Sequence, residues 1–502
     1  MNNSRTKNST RNITFSIVNK LITLVLAFVS RKIFIYCLSV EYLGIQGLFS
    51  DILTMLSFAD LGFGAAMTFS MYKPLAENDT KRLAALTSFY KKVYGVIVIV
   101  IATVGCALIP FLKFLVKTQT EIPNLEIYYV LYLLNTIASY LVVYKTSVIS
   151  ADQKEYVITK YTSIFTILCT ISECVFLLLT RNFVVYLIIR AVFTLSKNLY
   201  VSKKAEKMYP YINEKGELSK EEKKGLVNLI GSGFIYKIVG VVLSGTDNIL
   251  ISVIVGTVAV GYYSNYMIVS NQLTGFINII FYSITASLGN LVVQESKKKC
   301  YDVFNVIQST SMIISAFCTI CLLFLQEDLI SVWLGEKFVL DVMVLIAIAV
   351  NLYFTIILYP IRVYRDATGL YQKTKFVMLV TAVLNIVLSI VLGNIMGLAG
   401  ILFATSISKM LTFFWYEPIV LFKEHFDKSS IHYFVSILKN LIVIGVISVV
   451  EYLVCTQITV IGWFSLILKS AVVGIIALVG VLLFYFKSQG IKLLLSKIKA
   501  RG

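Results

Sequence analysis

Charge is what this chain of 502 residues has least of: 14% of its residues are Asp, Glu, Lys or Arg, against 58% hydrophobic. With a mean hydropathy of +0.83, such a composition excludes a soluble globular protein and describes a polytopic membrane protein. Acidic residues are scarcer still, 27 against 45 Lys and Arg, which leaves a net charge of +18. That excess does not indicate nucleic acid, because the cations sit in short loops between apolar segments. There are only two histidines, and no Cys/His spacing suited to a metal. The eight cysteines fall almost all within apolar runs, which argues against a disulfide framework, and the Cys318/Cys321 pair reads as helix packing. No GxxxxGK[ST] phosphate loop is present, so the chain is not expected to hydrolyse ATP itself. No outer loop is long enough for a catalytic domain, and the acidic loop 326–341 reads as solvated; the chain is therefore not expected to be an enzyme and has no catalytic residues to assign.

What remains is hydrophobic length. Fourteen apolar runs of about 20 residues each can span a bilayer: 13–38, 45–72, 89–112, 126–148, 157–179, 182–202, 226–255, 259–292, 303–326, 341–361, 372–393, 398–421, 434–455 and 464–486. The basic start, 2–11, leads straight into the first run, which is expected to direct insertion itself. Placing both termini in the cytoplasm puts the Lys- and Arg-rich loops inside and leaves only Lys113, Lys117, Arg181 and Lys337 outside. The longest hydrophilic stretch, SKKAEKMYPYINEKGELSKEEKK, divides the chain. The expected domains are a six-helix bundle over 1–201, a cytoplasmic linker over 202–224, a second six-helix bundle over 225–422, and two further helices with a basic tail over 423–502. The tail, GIKLLLSKIKARG, has the pattern of a short basic amphipathic helix on a membrane surface. Laying the first two runs over the seventh and eighth at an offset of 217 residues puts Lys20 on Lys237, Val40 on Thr257, Gly44 on Gly261 and Arg31 on Asn248. Two repeats of six helices share one orientation and are related by an axis along the membrane normal. The fold class is all-α and polytopic, with about 14 transmembrane helices in two pseudo-symmetric six-helix bundles plus two.

Ionisable residues inside a membrane are costly and usually mark a site. Here they are Lys20, Arg31, Lys32, Asp51, Asp60, Glu173 and Arg190 in the first half, and Lys237, Asp247, Lys409 and Glu417 in the second. The appended helices add Glu451 and Lys469. Arg190, Lys409 and Lys469 are candidates for snorkelling to the interface. Lys20 and Arg31, eleven residues apart, share a helix face about 16 Å along its axis. Lys20, Arg31 and Lys237, with Lys32 as a flanking cation, are the expected substrate-binding residues of a cationic cavity, which calls for an anionic cargo. Asp60 and Asp247 are the candidate carboxylates for neutralising those cations or carrying a coupling ion.

The block RKIFIYCLSVEYLGIQGLFSDILTMLSFADLGFGAAMTFSMYKPLAEND (31–79), the segment VWLGEKF (332–338) and the six-plus-six-plus-two plan resemble the Wzx-type oligosaccharide-lipid flippases of the multidrug/oligosaccharidyl-lipid/polysaccharide exporter superfamily. The resemblance implies a flippase of the bacterial cytoplasmic membrane, both termini cytoplasmic, that moves polyprenyl-pyrophosphate-linked oligosaccharide by alternating access for cell-surface polysaccharide (O-antigen type) synthesis. It implies no cofactor beyond possible H+ or Na+ coupling. Expected partners are the lipid-linked oligosaccharide, the lipid bilayer and the polysaccharide polymerase and chain-length machinery, but no nucleic acid. The alternatives are a cation-coupled multidrug exporter of the same superfamily and, less favoured, a polysaccharide polymerase.

Overall fold

A segment in hydrocarbon has no water to satisfy its peptide groups, so the apolar runs must become helices that bond internally. The computed structural model describes residues 2–56, 63–118, 122–486, 488 and 490–493; the side chains of 2–10, 13, 65, 227–237, 244, 286 and 371 lie outside that description. The expected amphipathic tail falls largely on 494–502, outside the described residues.

The helices are α1 (Asn2–Cys37), α2 (Val40–Leu56), α3 (Phe63–Glu77), α4 (Thr80–Ala107), α5 (Leu112–Leu115), α6 (Leu125–Tyr140), α7 (Val143–Ala151), α8 (Glu155–Thr180), α9 (Phe183–Met208) and α10 (Lys220–Ile254). They continue with α11 (Thr257–Ser283), α12 (Thr285–Gln294), α13 (Lys297–Leu334), α14 (Val342–Ile357), α15 (Tyr359–Thr368), α16 (Tyr371–Leu411), α17 (Phe413–Leu421), α18 (Ile431–Cys455) and α19 (Trp463–Tyr485). Among the described residues, each of the fourteen apolar runs falls on one helix or on consecutive helices; 57–62 of the second run lie outside them. Among the described residues nine helical stretches are long and apolar enough to cross a membrane, ten if α6 and α7, bent by 46°, form one broken span. The expected break between the eleventh and twelfth runs is a kink inside α16 at Gly397, whose φ of 59° and ψ of −135° suit a residue without Cβ. Pro360 opens α15 beside the break from α14, and Pro110 lies in the 3-10 turn after α4.

The chain divides into two compact units, Met1–Gly261 and Tyr262–Gly502. In the first, α1 packs along α8, α8 on α9, α9 on α6, and α2 on α6 and α10. This unit runs past the hydrophilic stretch 202–224, because α10 lies along α2 and α3. That stretch is docked: α9 continues to Met208, Ile212 and Leu218 are buried, and Tyr209 donates to Asp152 Oδ2 at 2.6 Å. Ser219 and Glu222 then cap α10 reciprocally. In the second unit, α13 packs against α14, α18 and α19, and α16 against α14 and α17. Several of its buried polar groups find one another: Asn385 Nδ2 donates to Thr405 Oγ1 at 3.1 Å, Ser406 Oγ to Asn351 Oδ1 at 2.8 Å and Asn440 Nδ2 to Tyr485 Oη at 2.7 Å.

Within the first unit α2 crosses the turn between α10 and α11 at backbone contact. A Cβ on Gly44 would overlap the Thr257 carbonyl, and a Cβ on Gly261 would stand 2.5 Å from the Val40 carbonyl oxygen. These two contacts are each other's image under the 217-residue offset. The crossing therefore has the reciprocity of a two-fold interface, built from two copies of one motif. The same turn is tied to the segment after α5, where Thr257 N donates to Lys117 O at 2.8 Å and Lys117 N to Thr257 Oγ1 at 2.9 Å.

Because carbonyl groups cannot rotate aside as side chains do, Gly44→Ala and Gly261→Ala should each destabilise the purified protein, by about 1–3 kcal/mol. Gly95→Ala, with nothing within 4 Å of its added Cβ, should not. Thermal unfolding in detergent checks this: a midpoint as high for Gly44→Ala as for Gly95→Ala contradicts the backbone crossing.

Candidate functional site

Three helices of the first unit bring charge to one place, and a fourth adds a tyrosine. Glu173 on α8 and Arg190 on α9 are nearly equidistant from the Arg181–Asn182 turn that joins these helices, so they meet side by side. Arg190 Nε donates to Glu173 Oε1 at 2.8 Å and Nη2 to Oε2 at 3.4 Å, a two-pronged pair. One turn earlier on α9, Tyr186 is covered by the Arg190 guanidinium at 4.7 Å from its ring centroid and accepts a hydrogen bond from it. Glu173 is 4% exposed and Tyr186 7%.

Arg31 of α1 joins this group. Its charge acts on Tyr186 and Arg190, and on Tyr132 of α6. Arg31, Arg190 and Glu173 are thus brought together within the apolar runs of α1, α9 and α8. Next to it lies an aromatic wall: Phe34, Tyr42 and Tyr128 surround Phe183, with ring centroids 5.9, 5.1 and 5.0 Å from it. Such packing holds α1, α2, α6 and α9 in register around Arg31.

The other expected site residues are placed as follows. Lys20 is on the same face of α1, three turns toward the amino terminus, half-buried, with no ion pair among the described residues. Lys32 is exposed. Lys237 lies on α10 with its side chain outside the described residues, and Asp60 lies outside them altogether. Asp247 is on α10, half-buried, within electrostatic reach of Asp51 on α2. Asp51 Oδ2 accepts a hydrogen bond from Asn248 Nδ2 at 2.7 Å. Asn248 is the residue on which Arg31 falls in the repeat, so the two equivalent positions both make polar contacts, one in a cationic cluster and one with a carboxylate.

Sequence reasoning singled out Arg31 but not its companions. Arg190 does not snorkel; it is paired. The available signal was an acid and a base symmetric about a tight turn between two apolar runs. The same holds elsewhere: Lys469 pairs with Asp328 at 2.6 Å and Glu417 with Arg365 at 2.9 Å. Among the described residues no group of three or more His, Cys, Asp or Glu could hold a metal ion.

No family model and no curated protein sequence matches the chain. Solved structures do. The lipid II flippase MurJ in an inward closed conformation superposes with a TM-score of 0.64 at 17% identity, over 94% of this chain and 99% of that one. An inward-facing multidrug resistance MATE family transporter of the MOP superfamily gives 0.62 at 12% identity, over 81% of this chain and 97% of its own. The MATE transporter VcmN of Vibrio cholerae gives 0.57 at 13%, over 84% and 98%.

Removing the Glu173 carboxylate leaves the buried Arg190 guanidinium without its ion pair, a loss of about 3–5 kcal/mol for a pair broken on one side. Glu173→Gln should therefore lower the unfolding midpoint sharply, whereas Glu173→Gln combined with Arg190→Met should restore part of it. Equal midpoints for the single and double variants contradict the pairing. The chain has the fold shared by the MurJ flippase and the MATE transporters, an all-helical multi-pass membrane fold.

Proposed function

We propose that this protein is a flippase that carries polyprenyl-pyrophosphate-linked oligosaccharide across the bacterial cytoplasmic membrane by alternating access, with both termini in the cytoplasm. The observation that carries this reading is the cluster around Arg31. Two guanidiniums held together within apolar spans, where ionisable groups are costly and usually mark a site, suit an anion. A pyrophosphate head group supplies that anion, and fixed guanidiniums grip phosphoryl oxygens in two-pronged geometry far more strongly in a low dielectric than in water. Lys20, on the same face of α1, extends the positive surface toward the amino-terminal end. Lys237 and Lys32 are the further cations of this reading, and Asp60 and Asp247 the carboxylates that would balance them or take up H+ or Na+. Solved structures with this fold include a lipid II flippase, matched over 94% of the chain, as well as MATE transporters, matched over 81–84%. The polymerase and chain-length machinery that consume the flipped unit are the expected partners.

The second reading, a cation-coupled multidrug exporter, draws on Asp51 and Asp247, carboxylates within electrostatic reach of each other on α2 and α10.

Arg31→Ala should abolish polysaccharide export in a complementation assay while the protein still reaches the membrane at wild-type abundance; Arg31→Lys should keep part of it. Full export by Arg31→Ala removes the proposal.

A further inference from the structure

In the second unit a carboxyl group stands at a three-helix junction with no ion pair among the described residues. Glu451, one turn from the end of α18, is 0% exposed. It faces the backbone of Ala477, itself fully buried, fourteen residues into α19 and thus about 21 Å from that helix's outer end. Oε2 accepts from the Cys455 thiol, 3.9 Å away, and the Ala477 backbone N–H is the other donor turned toward the carboxyl; Oε1 has no hydrogen-bond partner among the described residues. From α13 the titratable group that faces it is Cys321. From α18 it is Cys455. From α19 the nearest charge is Lys469, committed at 2.6 Å to Asp328 of α13 and next to Cys455 on the side away from Ala477.

The charges therefore balance without Glu451. Lys469 and Asp328 cancel, and an ionised Glu451 would be an uncompensated anion where each unpaired charge costs several kcal/mol. A hard metal cation does not fit either, since it asks for six or so oxygen ligands and this carboxyl has thiols and helix backbone around it. A proton needs one oxygen only. Toward the other end of α18 the junction continues as a hydrogen-bonded seam: Ser315 Oγ of α13 donates to Asn440 Oδ1 at 3.4 Å, and Asn440 Nδ2 donates to Met312 O at 3.1 Å and to Tyr485 Oη at 2.7 Å. Thr319, one turn beyond Ser315 on α13, is buried with its hydroxyl unpartnered among the described residues. The junction of α13, α18 and α19 thus has polar groups on both sides of Glu451, which a run of lipid-facing helices would not need.

We propose that Glu451 is a proton-binding site, loaded in this conformation, by which the last two helices register the proton gradient. One proton from bulk water bonds to a carboxylate oxygen and returns to water when α18 and α19 part; no other bond changes. The site does not depend on what the protein carries.

Infrared difference spectroscopy on the purified full-length protein in lipid nanodiscs tests it, with the proton itself as the probe. The wild-type spectrum minus that of Glu451→Gln should contain the C=O stretch of one protonated carboxyl at neutral pH, and the band should fade in strongly alkaline buffer. Glu451→Asp should shift the band rather than remove it, and serves alone if the Gln variant fails to elute as a monodisperse species. A neutral-pH difference spectrum that shows a carboxylate band instead, or no carboxyl band in either comparison, overturns the proposal. Because the readout needs no cargo, failure of the flippase reading leaves this result standing, and the reverse.

Discussion

A charge inside a bilayer must find a partner, and in this protein that requirement decides which helices touch. Glu173 and Arg190 clamp α8 to α9, Lys469 and Asp328 clamp α19 to α13, and Arg365 and Glu417 clamp α15 to α17. Apolar surface cannot supply such specificity in lipid, because hydrocarbon packs against hydrocarbon everywhere. The pairs act as staples between otherwise interchangeable greasy cylinders. At one place a second guanidinium, Arg31, joins such a pair, Arg190–Glu173, and the proposed function draws on that cluster.

The second constraint is the repeat. Gly44 against Thr257 and Gly261 against Val40 are one contact made twice. Each copy of the motif supplies a glycine where the other supplies a backbone carbonyl, so neither glycine can gain a side chain without moving the other copy. A sequence similarity too faint to stand by itself gains physical sense from that reciprocity. The halves diverge elsewhere: where the first has Arg31 in a cationic cluster, the second has Asn248 donating to Asp51.

The spans were legible because about 20 apolar residues in a row admit few structures, and even the kink at Gly397 lay where the sequence left a short connection. The partners of charges were less legible. Glu173 and Arg190 looked like separate isolated residues, since a linear reading does not weigh distance from a hairpin turn. Arg31 was visible as a costly charge, yet its neighbours Tyr132 and Tyr186 are more than a hundred residues away. The stretch 202–224 reads as a linker by composition; the few apolar residues that dock it, Ile212 and Leu218, are hidden among lysines and glutamates. Lys20 keeps the face it shares with Arg31, but not the company, because the acid that Arg190 holds sits only at the Arg31 end of α1.

The decisive measurement is leaflet transfer in proteoliposomes, read with a membrane-impermeant reagent that labels the glycan. Polyprenyl-pyrophosphate-linked oligosaccharide should become accessible at a rate set by the amount of protein, and the same glycan on an uncharged polyprenyl carrier should not. Transfer no faster than in protein-free vesicles, or equal transfer of the charged and uncharged lipids, would contradict a cationic site that grips the pyrophosphate.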